Sequence, residues 1–109
     1  MTVGELAARL GCRVAAGAPA LGRRVTGCYA GDLLSWVMAH ARAGDAWITV
    51  MGHVNVAAVA VLTGAACVIL ADGARPDADL LARAREQEIP VLLSGDSAAM
   101  LARGIGNAL

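Results

Sequence analysis

Ala46-Trp47-Ile48-Thr49-Val50-Met51 and Cys67-Val68-Ile69-Leu70 are two continuous runs rich in apolar residues, separated by Gly52-His53-Val54-Asn55 and the almost wholly apolar residues 56–62. A strand that is apolar without alternation is one covered on both faces, as in a parallel sheet. Asn55 is suited to open the intervening helix and Gly64 to stop it. A strand, a helix and a second strand joined this tightly predict a right-handed βαβ crossover. The competing reading is a membrane helix over residues 54–71, but Asn55, Thr63 and Gly64 interrupt it and no aromatic belt flanks it.

Toward the C-terminus, Asp72-Gly73 and Pro76 predict a turn into an amphipathic helix over 77–88. A short strand at 90–93 follows, and Ser97 caps a closing helix that reaches residue 103 before a glycine-rich end. Toward the N-terminus, residues 33–43 predict a helix with Asp32 as its N-cap, apolar on more than one face. Residues 25–29 have strand character, and Gly17, Pro19 and Gly22 mark a loop after a short strand at 12–15. Thr2 caps a first helix from Val3, with Glu5 in its first turn and Gly11 at its end. Alternating strands and helices on short connections predict one α/β domain over residues 1–109, a mainly parallel sheet with helices on both faces in three layers.

Nine Arg balance nine acidic residues and Lys is absent, so no net field draws in nucleic acid or anionic lipid. Neither a nucleic acid nor a membrane is expected as a partner. Cys12, Cys28 and Cys67 are odd in number and lack a CxxC pair, which predicts buried reduced thiols, a cytoplasmic setting and no metal site. The first residues lack a basic region followed by an apolar core, so no signal peptide is expected.

Arg23-Arg24-Val25-Thr26-Gly27-Cys28-Tyr29, Gly31-Asp32-Leu33-Leu34-Ser35-Trp36-Val37-Met38, Trp47-Ile48-Thr49 and His53-Val54-Asn55-Val56-Ala57 together resemble the DRTGG domain, a family related to the N-terminal domain of HPr kinase/phosphorylase. The sequence departs from the eponymous motif at Gly22, where Asp is expected, and at Cys28, where a second Gly is expected. The resemblance implies a regulatory domain, found alone or beside CBS pairs, pyrophosphatase or phosphotransacetylase units, with no catalytic activity of its own and no cofactor. Kinase activity is not implied, because a GxxxxGK[ST] phosphate loop needs a Lys.

The sharpest local feature is Gly52-His53-Val54-Asn55, where a central strand hands over to a helix, a place where open α/β sheets form ligand crevices. Asp72-Gly73 and Ser94-Gly95-Asp96-Ser97 are expected on the same edge, and Thr26, Gly27 and Asp32 complete the candidate set for a small phosphorylated or nucleotide ligand. Against this stand the ordinary preferences of these residues: Asn55 and Asp32 cap helices, and Gly, Asp and Ser make turns. A small enzyme or catalytic accessory built on His53 and Asp32 is the alternative function. The surplus apolar surface of the second and third helices predicts a homodimer through Trp36, Met38, His40, Val56 and Val59, acting as a structural unit or beside a partner enzyme.

Overall fold

The computed structural model describes residues 1–109. Strands β1 (Arg13–Ala16), β2 (Gly27–Ala30), β3 (Asp45–Thr49), β4 (Cys67–Leu70) and β5 (Val91–Leu93) form one sheet in the order β1-β5-β4-β3-β2. The pairs β2·β3, β3·β4 and β4·β5 are parallel, and β1 runs antiparallel to β5. β3 and β4 are buried at every position; β4 is apolar throughout, while β3 carries the apolar Ala46-Trp47-Ile48 between the buried polar residues Asp45 and Thr49.

The parallel strands follow one another across the sheet, so all three crossover helices lie on one face: α2 (Leu34–His40), α3 (Asn55–Thr63) and α4 (Ala78–Glu86). Trp47, Val68, Leu70 and Val91 point into that layer and meet Val37, Val56, Val59, Ala60, Leu80 and Ala84. The opposite face carries Ile48, Cys67, Ile69 and Leu92 against Val3, Leu6, Leu101 and Ile105 of α1 (Val3–Leu10) and α5 (Ala98–Ala108). The three-layer arrangement is therefore the one expected.

Local signals explain several boundaries. Thr2 Oγ1 accepts from the Glu5 amide, while the Thr2 amide donates to the Glu5 carboxylate, a reciprocal cap on α1. Those hydrogen bonds hold the Glu5 carboxyl below its ordinary pKa. Gly11, at φ 67°, closes that helix in the left-handed conformation. Ser97 Oγ accepts from the Met100 amide and starts α5. That helix runs on to Ala108 and not to residue 103, because α1 lies against it: a Cβ on Gly104 would meet Leu10 Cδ2 at 2.6 Å, so glycine there serves close packing and not chain termination.

Two expected caps are absent. Asp32 does not cap α2, whose N-cap is Leu33 with no side-chain bond. Its Oδ1 instead accepts from Thr49 Oγ1 at 2.7 Å and the Val50 amide at 2.9 Å, tying the loop after β2 to the end of β3. Asn55 lies within α3 and is exposed, the N-cap being Val54, and the Val56 and Ala57 amides donate to the carbonyls of His53 and Val54.

Candidate functional site

The parallel strands give the sheet two distinct edges. Thr26 and Gly27 sit where β2 begins, on the amino edge; Asp32, Gly52, His53, Asn55, Asp72, Gly73, Ser94 and Ser97 follow strand ends on the carboxyl edge. The candidate set thus does not converge, and Thr26 and Gly27 separate from the rest. Both have a role in the fold. The Thr26 amide donates to the Gly44 carbonyl, and a Cβ on Gly27 would meet Asp45 Oδ1 at 2.7 Å. Asp45 is a buried carboxylate that accepts from the Arg42 amide at 2.8 Å, and the bare Gly27 leaves it room.

On the carboxyl edge most candidates are already engaged. A Cβ on Gly52 would strike the Arg75 carbonyl, and the Gly52 carbonyl accepts from the Asp77 amide. Gly52 therefore lets the loop after β3 lie on the loop after β4. The Asp72 amide donates to the Asp96 carbonyl and the Gly73 amide to the Ser94 carbonyl, at 2.8 and 2.9 Å. Asp72 and Gly73 reach that position through positive φ angles of 56° and 70°. Ser94 Oγ accepts from the Asp96 amide and Ser97 Oγ serves the α5 cap. The His53 imidazole makes no hydrogen bond within the chain and sits half-buried at the head of α3.

What the edge does hold is a crevice of about 420 Å³ between the ends of β4 and β5, lined by Arg13, Gly73–Pro76 and Leu93–Gly95. After β4 the chain turns to the face that α4 covers, and after β5 to the face that α5 covers. A divergence of this kind is where open α/β sheets take ligands. Arg13 and Arg75 were not foreseen as site residues. Arg75 stands inside a turn legible from Asp72-Gly73 and Pro76, but Arg13 arrives through its pairing with Leu93, at the far end of the chain.

None of the three thiols is activated. Burial raises the Cys67 pKa from 9.0 to about 12. Only Cys67 is buried as expected: Cys12 is half-buried and Cys28 exposed, and partial desolvation with the charge of Asp96 raises Cys12 while partial desolvation with the charge of Asp45 raises Cys28. Each stays protonated near neutrality, unlike a nucleophilic cysteine.

A model of the DRTGG domain matches residues 5–108. The chain belongs to the DRTGG domain family. Among curated proteins, no sequence match is found. Among solved structures, this DRTGG domain is similar to the CBS and DRTGG domains of the regulatory region of Clostridium perfringens pyrophosphatase, complexed with the activator diadenosine tetraphosphate. The likeness has a TM-score of 0.74 at 13% identity and covers 99% of this chain but 47% of that one. It supports the fold described above, and the DRTGG domain here spans about half of the related chain.

The dimer residues divide as well. Val56 and Val59 are interior to the domain, at 0% and 5% exposure, because α3 packs onto the sheet through them. They cannot meet a partner. Trp36, Met38 and His40 are exposed on α2, and Trp36 stacks on His40 with centroids 4.7 Å apart. The His40 Nδ1–H donates to the Trp36 carbonyl at 2.9 Å. No helix is long and apolar enough to cross a membrane.

Proposed function

We propose that this DRTGG domain is a non-catalytic regulatory module that senses a small phosphorylated or nucleotide ligand at the carboxyl edge of its sheet. The observation that carries this reading is the divergence of the chain after β4 and β5, which opens a crevice at that edge. The related pyrophosphatase region, a regulatory one complexed with a nucleotide activator, supports it by likeness. The setting that suits three protonated thiols is the cytoplasm, and the recipient of the signal is a partner enzyme.

A thermal-shift series with diadenosine tetraphosphate, ATP, ADP and pyrophosphate tests the reading, because a ligand selective for the folded chain raises its melting temperature. A concentration-dependent rise is expected with at least one compound. No shift at millimolar concentration with any of them contradicts it. Turnover of a phosphorylated substrate, lost in His53→Ala, would favour the enzymatic alternative.

Self-association is the second part of the proposal. Leu33, Trp36 and Met38 around α2 are 60%, 58% and 51% exposed, and Val61 and Leu62 on the adjoining α3 are 46% and 70% exposed. Large apolar side chains concentrated on two packed helices favour a symmetric pairing of two copies. Light scattering is expected to give twice the chain mass, and Trp36→Glu the mass of one chain. A wild-type monomer at micromolar concentration contradicts the dimer.

A further inference from the structure

We infer that the crevice between the carboxyl ends of β4 and β5 is a phosphoryl-binding site in which Arg13 and Arg75 hold the anion. The inference rests on the carboxyl-edge reading above and specifies its location and chemistry. Arg13 approaches from β1 and Arg75 from the loop after β4, so two arginines border the crevice from separate elements. No carboxylate lines it, and neither Arg takes part in an ion pair, the chain's one such pair being Arg83–Glu86. Asp72, Asp77 and Asp96 stand in the adjoining loops but outside the lining.

Hydrogen-bonding capacity points the same way. The amides of Asp72 and Gly73 are consumed between the two loops, whereas those of Arg75 and Gly95 donate to no acceptor in the chain. Ser94 Oγ accepts from the Asp96 amide, and its hydroxyl also serves the neighbouring Cys12 thiol, so it is engaged within the chain. Planar guanidinium groups and two unpaired amides are all donors, a set that suits a multivalent oxyanion able to accept from several directions. A volume of about 420 Å³ exceeds a bare phosphate and falls within the usual range for small-molecule pockets, with Ala74 and Leu93 giving the remainder of a ligand an apolar wall.

Titration calorimetry on the full chain at low salt tests this with pyrophosphate, ADP and adenosine. Binding of pyrophosphate and ADP without adenosine is expected, weakened at least tenfold by Arg13→Ala and by Arg75→Ala, while Arg23→Ala binds as wild type. Equal affinities for pyrophosphate and ADP identify the phosphoryl group alone as the determinant; tighter ADP binding identifies a nucleotide, and both support the site. Circular dichroism on each variant separates lost binding from lost folding. Binding that survives both Arg substitutions but disappears in His53→Ala overturns this site and leaves a carboxyl-edge ligand standing. Adenosine binding as well as ADP overturns the phosphoryl assignment, and no binding by any compound overturns the site and the ligand reading together.

Discussion

At the amino edge of the sheet, Arg23 and Arg24 border a cavity of about 440 Å³; at the carboxyl edge, Arg13 and Arg75 border one of about 420 Å³. The charge inventories are alike, yet the surroundings have opposite polarity. The amino-edge cavity is lined by the C-terminal end of α3 and the segment after α4, where helix carbonyls concentrate negative partial charge. The carboxyl-edge crevice lies where strands finish and α4 and α5 are about to begin, with free amides among its lining residues. Two arginines beside a cavity therefore do not define an anion site; the direction of the neighbouring helices decides between them. At the amino edge the buried Asp45 and the Thr26–Gly44 bond join β2 to the turn before β3, whereas the carboxyl edge is where the proposed ligand would sit.

The largest expected effect tests how deeply the start of β4 is buried at the amino edge. Cys67 opens β4 there, fully buried, with its thiol pushed up to about 12. Between pH 9 and 12 the unfolded chain loses this proton and the folded chain keeps it, so stability is intact below pH 9 and falls as pH rises through that window. The total is about 4 kcal/mol at about 1.4 kcal/mol per pKa unit. Urea denaturation across this range is expected to show the decline, and Cys67→Ala to flatten it. Next in size, Asp45→Ala removes the acceptor of the half-buried Arg42 amide bond and is expected to cost about 2 kcal/mol.

Smaller effects belong to the carboxyl edge. Gly52→Ala drives a methyl into the Arg75 carbonyl and is expected to cost about 1–3 kcal/mol, read from the urea midpoint. Asp32→Ala loses bonds from Thr49 and Val50 at an exposed position, and about 1 kcal/mol is expected. Arg13→Ala and Arg75→Ala are expected to change stability by under about 0.5 kcal/mol, since both side chains are exposed and outside ion pairs. A larger loss would make the crevice a structural element and erase the contrast between the edges.

The central strands were legible because continuous burial leaves a continuous apolar sequence, as in β4, whose limits Cys67–Leu70 match the sequence reading. The α3 puzzle, a helix apolar all round, resolves into Val56, Ala57, Val59 and Ala60 inside and Val61 and Leu62 outside, a division that composition alone does not carry. Asp32 misled because a local capping preference fits its position, while the interaction that forms depends on Thr49 arriving from the next strand. The site was half legible for the same reason. Loops after β3, β4 and β5 could be assigned to one edge from the βαβ pattern. Arg13 could not, because its place depends on an antiparallel pairing between opposite ends of the chain.

A proton–nitrogen correlation spectrum recorded during a pyrophosphate titration tests the contrast between the edges most directly. The expected result is progressive movement of the Gly73, Arg75 and Gly95 amide signals while those of Gly44, Gly64 and Ala65 stay in place. Movement confined to the amino-edge signals, or no movement at either edge, would contradict it.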